Sequence, residues 1–428
     1  MKKIKLLILP SDGQGVGHFR SIWPAQSIEK HYSDEIEVEI NRQVDVNDLE
    51  YLKRFDIIHF HRVLGTYENM KDRCDKLREL GVKLIMDIDD YWEPPMTHPL
   101  YELVVKDNLS EKMRTNLSCV DYVTTTTKVF ADYIRKINPN VYVIPNALDM
   151  SHKMWNGELQ DNPNDICRIS WIGGSSHLFD LKLLIPSMTR LHDSKELIDK
   201  FQIVMCGFDI RGTITEIGPN GEQRVRKIQP YETIWMKFEE ILTNNYSSIK
   251  DKNYLKWLKQ IKKEDYLDQY NQPYVRRWTL PLTQYGKHYD YCDVCLAPLE
   301  DIEYKRNQKG TIFKRLHIFN AVKSELKIIE AGMKKKALIA QDFGIYKSLL
   351  KNNVTGILVS DNKDGWYKAM KKIILDKDFR QEITENLHNF VKDKYELKNV
   401  TAKRVKIYKE IMKNKVPKKL NLEGVVSK

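Results

Sequence analysis

Lys323, Lys327, Glu330 and Lys334 recur at i, i+4, i+7 and i+11 around the stretch Lys-Ser-Glu-Leu-Lys-Ile-Ile-Glu-Ala-Gly, Lys323–Gly332. On a helix these positions form one stripe, with two cations at its start and a carboxylate about two turns in. Leu326, Ile329 and Met333 fall at i, i+3 and i+7 on a neighbouring stripe, which is apolar and faces a core. The spacing predicts a helix beginning near Ser324. A helix N-terminus carries free N–H groups and the positive end of a dipole, so it suits a phosphate. The same charges also suit the solvated face of an ordinary amphipathic helix, and the surrounding chain has to decide between the two.

Further stretches bear chemistry. Gly13-Gln-Gly15-Val-Gly17-His18 follows an apolar run, and its glycines allow close approach of backbone to a phosphate or sugar, or simply a tight turn. It lacks the spacing of the dinucleotide fingerprint. His18 and Arg20 stand on the following helical turn, in reach of a cleft. Asp87-Ile-Asp89-Asp90-Tyr-Trp92 follows another strand, and its carboxylates suit a divalent metal, sugar hydroxyls or a solvated turn. His98, beside Pro99, is a polar group of the same region. Gly173-Gly174-Ser-Ser-His177 repeats the strand–glycine–helix arrangement, as an anion nest or a turn. Asp301–Phe319 reads as a basic loop with Lys305, Arg306, Lys309, Lys314 and Arg315. Cys292 and Cys295 form a Cys-x-x-Cys pair in a strand-like segment; three apart in a strand they face opposite sides, so burial as small hydrophobes is expected rather than zinc.

These groups need a scaffold. A chain of 428 residues exceeds one compact core, and two domains are expected. Hydrophobic content of 42% argues against overall disorder. Short apolar runs alternate with helical patterns, which is the signature of parallel βαβ units and an α/β fold. Strands are expected at Ile4–Pro10, Ile36–Ile40, Ile57–Phe60, Lys83–Asp87, Tyr122–Thr125 and Val141–Ile144. A second series is expected at Cys167–Trp171, Phe201–Cys206, Asp293–Pro298, Ala337–Ala340 and Gly356–Val359. The division is residues 1–150 as a first Rossmann-like domain and 151–165 as a linker. Residues 166–400 follow as a second such domain with a mostly helical insert at 211–277, then 401–428 as a closing helix and basic tail. Open parallel sheets bind ligands at the carboxyl ends of their strands, so two such domains are expected to face each other across a cleft.

Together these pieces resemble the GT-B glycosyltransferases of the large group 1, or GT4-like, class over nearly the whole chain. The resemblance rests on Gly13–His18, Val123-Thr-Thr-Thr-Thr127, Val143-Ile-Pro-Asn-Ala-Leu-Asp149, Asp293-Val-Cys-Leu-Ala-Pro-Leu299 and, most specifically, Lys323–Gly332. Ile-Asp-Asp-Tyr-Trp and the long insert look most like glycosyltransferases of bacterial and tailed-phage genomes. The resemblance implies a C-terminal helix that crosses back onto the first domain, and a nucleotide-sugar donor, a UDP-sugar first, with retention of anomeric configuration and no tightly bound cofactor or required metal. It gives Glu330 the ribose hydroxyls, and Ser324, Glu325 and Leu326 the diphosphate through backbone N–H groups. Lys323 and Lys327 would neutralise the leaving nucleotide. Gly15, Gly17, Gly173 and Gly174 would approach the donor. The family pattern has a glutamate eight residues before the last one, where this chain has Val322. Asn320 or Lys323 would then contact the transferred sugar, with Asp89 and His98 as further catalytic candidates, and His18, Arg20, Asp90, Trp92, Arg306 and Lys309 on the acceptor side.

The acceptor is expected to be a glycan or another hydroxyl compound. The insert interleaves cations such as Arg224, Arg226 and Lys256 with Trp235, Tyr254 and Trp257, which suits phosphates and stacked bases. A hydroxymethylated base in duplex or single-stranded DNA is therefore a candidate acceptor. The formal net charge of +11 favours anionic partners without choosing among them. A non-catalytic nucleotide- or glycan-binding protein, and a nucleotide-sugar epimerase, are the competing readings. No apolar run reaches 18 residues and no signal peptide is evident, so a cytoplasmic protein without a transmembrane segment, in a bacterium or a phage-infected cell, is expected.

Overall fold

The structure is a computed structural model that describes residues 2–155, 165–209, 212–217, 222–229, 232–243, 274–306, 310–360 and 363–414. It divides into two units. The first comprises Met1–Met150, Asp301–Ile329 and Val391–Lys428; the second comprises Ser151–Glu300 and Glu330–Phe390.

The first unit is built on β1 (Ile4–Leu9), β2 (Ile36–Ile40), β3 (Ile57–His61), β4 (Lys83–Ile88), β5 (Tyr122–Thr125) and β6 (Val141–Val143). They form one sheet in the order β2-β1-β3-β4-β5-β6, parallel throughout. Strand side chains alternate between faces, and both faces are buried. Leu7, Ile58, Leu84, Met86 and Val123 enter one core; Leu6, Ile8, Ile57, Ile85 and Tyr122 enter the other. That is why these strands read as continuous apolar runs. The second core is completed from the far end of the chain, by Leu397, Val400, Val405, Ile407, Tyr408 and Ile411 of the helix Leu397–Lys413. This helix packs on the helix Trp23–Tyr32, where Thr401 Oγ1 donates to Ser27 Oγ at 2.9 Å. The returning C-terminal helix expected from the resemblance is present.

The second unit has β7 (Cys167–Ile172), β8 (Phe201–Phe208), β9 (Thr213–Ile217), β10 (Gln223–Lys227), β11 (Tyr274–Trp278) and β12 (Val294–Ala297). The chain returns to the first unit for β13 (Ile302–Arg306) and β14 (Ile312–Leu316), then supplies β15 (Ala337–Gln341) and β16 (Ile357–Val359). The order β11-β8-β7-β12-β15-β16 is again wholly parallel. Its core gathers Ile169, Trp171, Phe201, Ile203, Met205, Leu296, Ile339, Trp366 and Met370.

Within the described part of 211–277, β9 and β10 form an antiparallel hairpin, Ile234–Leu242 is a helix, and β11 is an edge strand of the main sheet. Residues 244–273, which include Tyr254, Lys256 and Trp257 of the cation–aromatic interleaving, lie outside the described residues. The basic stretch Asp301–Phe319 is an antiparallel hairpin, β13–β14, rather than a loop. Period-two alternation explains the difference: Ile302, Tyr304, Arg306, Ile312, Lys314 and Leu316 share the exposed face, while Glu303 turns inward to Arg315.

Candidate functional site

In the first unit, chemistry collects at the carboxyl edge of the sheet. Asp87, on β4, is fully buried and accepts two hydrogen bonds from Arg20, Nη2 at 2.7 Å and Nε at 2.9 Å. Burial pushes this carboxyl up, but the Arg20 charge outweighs it and holds the pKa down at about 2. Thr124 Oγ1 also donates to Asp87, at 2.6 Å. That spends the Thr124 proton, so the 3.0 Å contact with His59 makes His59 Nε2 the donor and leaves Nδ1 to accept from the Tyr408 hydroxyl at 2.7 Å. Burial, with Arg404 nearby, accordingly drives the His59 pKa down to about 3, and the ring is neutral. Arg20 also donates to Ile144 O and Asn146 Oδ1. It is therefore buried scaffolding at the sheet end, not a group free to meet an acceptor. Trp92 is likewise buried, tilted against Tyr91 and Phe130.

One step further out, Asp89 accepts from His61 Nε2 at 2.9 Å and from Arg62 Nη2 at 3.1 Å. Burial raises the Asp89 pKa, but the interactions with His61 and with the Arg62 charge more than reverse this, so the carboxylate is held ionised. Asp90, 3.4 Å from Arg62, is shifted upward by desolvation and by the adjacent Asp89 charge. Lys323 acts electrostatically on both Asp90 and His98, and the Phe319 ring meets the tilted His98 ring at 5.3 Å and the Lys323 ammonium at 5.4 Å. The fold thus brings Lys323 within electrostatic reach of Asp90 and His98, which lie far from it in the chain. It adds His61 and Arg62, which the sequence reading passed over. Their signal was available: two imidazoles in alternate positions close an otherwise apolar strand, Ile57–His61.

The first glycine loop is self-satisfied. Asp12 Oδ1 accepts from Gln14 N at 2.8 Å and Gly17 N at 3.1 Å. A Cβ on Gly17 would come to 2.0 Å from Asp12 O, whereas one on Gly15 would meet nothing within 4 Å. Gly17 is thus required by the turn itself. His18 lies beside it, its Nδ1 at 2.9 Å from Gln14 O.

The helix of the opening stretch runs Leu326–Met333, two residues later than expected. It follows a short turn of helix, Ile318–Ala321, in which Asn320 is buried and donates its backbone N–H to His317 Nδ1. Val322 is wholly buried in the first unit's core. Ser324, Leu326 and Lys327 are half-buried. The Glu325 side chain turns inward, where Oε1 accepts from Asn146 N at 2.7 Å. Burial pushes the Glu325 pKa up to about 7.

In the second unit, Glu330 is fully buried and its Oε2 accepts from the Tyr289 hydroxyl at 2.5 Å and the Tyr285 hydroxyl at 3.3 Å. Burial and the Glu330 charge raise both phenols well above their usual range, so they remain donors. Lys334 is buried too, ion-paired to Asp290 at 2.5 Å and donating to Met154 O. The stripe read as a charged face is therefore internal at both of these positions. After β7, a Cβ on Gly173 would come to 2.7 Å from the Trp171 ring, while Gly174 is open. The next turn is pinned by His177 Nδ1 on Asp180 at 2.7 Å, with Glu300 N on the same carboxylate.

The Cys292 and Cys295 thiols are both buried but face each other, Sγ to Sγ 3.8 Å, because Cys292 precedes the strand that begins at Val294. Arg306 is exposed on the β13–β14 hairpin, and Lys309 lies outside the described residues.

No protein-family model and no curated protein matches the sequence. Solved structures match its shape along almost the entire chain. A glycosyltransferase from Rickettsia africae superposes with a TM-score of 0.59 at 15% identity, covering 97% of this chain and 100% of that one. HepE of Anabaena, solved with UDP, gives 0.56 at 10% identity, covering 96% and 100%. An alpha-glucosyltransferase solved with UDP and a 13-mer DNA containing an HMU base gives 0.51 at 14% identity, covering 96% and 100%. Two six-stranded parallel sheets in this arrangement of strands, with that likeness, define the fold as GT-B. At these identities the likeness concerns fold.

Proposed function

We propose that the protein transfers a sugar from a nucleotide-diphosphate sugar, a UDP-sugar first, to a hydroxyl of its acceptor without needing a metal. The observation that carries this reading is the GT-B fold held in common with proteins solved with UDP. Glu330, held by Tyr285 and Tyr289, takes the ribose hydroxyls in this proposal. Ser324–Leu326 offer backbone N–H groups, and Lys323 and Lys327 balance the departing diphosphate in place of a cation. Gly174 and Gly15, where side-chain space is open, admit the donor closely. Asp89, His98, Lys323 and Asn320 attend the transfer, and His18, Asp90 and Arg306 face the acceptor. Val322 lies in the core, so no carboxylate stands at the family's sugar-contacting position. The anomeric outcome then depends on which base takes the acceptor proton: the departing phosphate goes with retention, a protein base with inversion.

For the acceptor, a glycan and a hydroxymethylated base both fit a hydroxyl nucleophile. The structure of the alpha-glucosyltransferase on HMU-containing DNA supports the second. The test is calorimetric binding of UDP, GDP and ADP, then turnover of UDP-glucose in EDTA with a glycan panel and with HMU-containing duplex. UDP binding with EDTA-insensitive sugar transfer is expected; failure to bind any of the three nucleotides would overturn the reading.

A further inference from the structure

The β13–β14 hairpin of the first unit has two unlike faces. Its inner face is fastened to the loop after β4. Glu303 accepts from Arg315 Nε at 2.8 Å, Arg315 pairs with Glu93 at 3.6 Å, and Lys305 Nζ donates to Pro94 O at 3.3 Å. His317 N on Asp301 O, at 2.9 Å, closes the base. A two-stranded hairpin is marginal by itself, so these ties hold it in place.

The outer face is wetted. Across it Ile302 stands opposite Leu316, Tyr304 opposite Lys314 and Arg306 opposite Ile312. Tyr304, Ile312 and Leu316 are 50%, 53% and 52% exposed, and Phe313 adds a further exposed ring. Five of the thirteen large apolar side chains exposed among the described residues fall between Ile302 and Leu316. Three more, Leu100, Leu103 and Val105, come just after the loop that anchors the hairpin. Single exposed apolar side chains are ordinary, but such a concentration marks an interaction surface.

Charge and side-chain chemistry choose the partner. Between Ile302 and Leu316 the sequence has five Lys and Arg residues and one acidic residue, Glu303, which is buried on the inner face. The outer face therefore sets Arg306 and Lys314 among apolar groups without a carboxylate, and the Lys314 ammonium stands 5.6 Å from the centre of the Tyr304 ring. A nucleic acid would satisfy the cations, but Ile302, Ile312 and Leu316 have no flat face on which a base stacks. A second copy of the chain would cover the apolar groups and set like cations against each other. A bilayer rich in anionic lipid satisfies both kinds of group. Apolar tips enter at the acyl boundary, while the Arg306 and Lys314 heads stay with the phosphates.

We propose that the outer face of the β13–β14 hairpin docks the protein on a membrane surface rich in anionic lipid. The contact is peripheral, a few side chains deep, and needs neither donor nor acceptor, so it stands apart from the transferase reading.

The test is flotation of the full-length protein with vesicles of phosphatidylcholine, alone and mixed with phosphatidylglycerol. Wild-type protein is expected to float with the mixed vesicles and not with the neutral ones, and less as salt is raised. Changing Ile312→Ser and Leu316→Ser together removes only exposed side chains, so the melting temperature is expected to hold while vesicle affinity falls at least about tenfold. Lys314→Gln is expected to lose about fivefold, the scale of one cation at such a surface. All six cysteines are buried, so Ile312→Cys can be labelled selectively with a polarity-sensitive dye. Its emission is expected to shift to the blue when mixed vesicles are added. No flotation with mixed vesicles at low salt, equal flotation of the double serine variant, or an unshifted dye would overturn the proposal. So would a duplex-DNA gel shift, or a dimer in sedimentation, that the double variant abolishes while vesicles bind neither protein.

Discussion

Asp87 and Arg20 show how costly the polar edge of this sheet would be if left incomplete. Both side chains are 1% exposed, so neither charge has water to fall back on. Removing one partner from such a pair costs about 3–5 kcal/mol, because the other remains buried and uncompensated. Asp87→Ala is therefore expected to lower the stability of the first unit by that order, read from urea melts. The pH dependence follows from the sign of the shift. The folded-state pKa, about 2, is below the ordinary 3.8, so this contribution is complete above that value and is lost as pH falls through about 2. At Glu330 the prediction concerns binding. Glu330→Gln keeps the side-chain size while one phenol contact is weakened, and UDP affinity is expected to fall at least about tenfold, or about 1.4 kcal/mol, with little change in melting temperature. Calorimetry decides; an unchanged affinity would remove Glu330 from the donor site. Sequence spacing singles out Glu330, Asp89 and Lys323 as candidates because motif and position carry them. It does not reveal Tyr285, Tyr289 or His61, whose contacts with Glu330 and Asp89 form only on folding.

Elements were legible where period and length agreed. Ile36–Ile40 and Tyr122–Thr125 were read to the residue, since parallel buried strands leave no polar interruption. The helices Tyr101–Lys106 and Leu109–Cys119 were not anticipated, and Asn108 between them adopts a left-handed conformation that breaks any continuous helical pattern. Arg20 was misjudged for a related reason: a charged residue near a glycine loop looks available until the helix carrying it is rotated onto the sheet. The glycine turn makes its own prediction. Gly17→Ala would drive a methyl to 2.0 Å from Asp12 O, backbone that has little freedom to yield. A loss of at least about 1–3 kcal/mol, typical of forced overpacking, is expected in thermal melts of the variant. At the start of the helix Leu326–Met333, Glu325 works in the opposite sense from Asp87. Burial raises its pKa from 4.5 to about 7, against the smaller opposing effects of its own backbone amide, Asn146 N, Arg20 and Lys394. Its contribution to stability is thus complete below pH 4.5 and is lost as pH rises through about 7. Glu325→Gln is expected to be more stable than wild type at pH 8, by on the order of 1–3 kcal/mol, and equal near pH 4. Equal stability at both pH values would show that Glu325 ionises without penalty.

At the scale of the whole molecule, the two parallel sheets account for the GT-B assignment, and both were foreshadowed by alternating strand and helix patterns. The antiparallel β9–β10 and β13–β14 hairpins were not, because short strands interspersed with charged and polar residues resemble solvated loops in a sequence. No described helix is long and apolar enough to cross a membrane. The first unit nevertheless depends on the end of the chain. Leu397, Val400, Tyr408 and Ile411 fill one of its two cores, and Tyr408 closes the hydrogen-bond chain to His59, Thr124 and Asp87. A chain ending at residue 396 is expected to expose this face, bind a hydrophobic dye and lose its first thermal transition; a native melt would show the helix to be dispensable.

That dependence has a consequence in time as well as in space. On a ribosome, β1–β6 emerge first, yet the helix that covers one face of their sheet begins at Leu397. At 5–20 residues per second the nascent sheet waits roughly 12–50 s for its cover. The second unit's sheet has all its strands by Val359, so it is free to complete its core earlier. The half of the protein that is synthesised first is therefore the half that finishes folding last, and during synthesis it is the one that most needs shielding from aggregation.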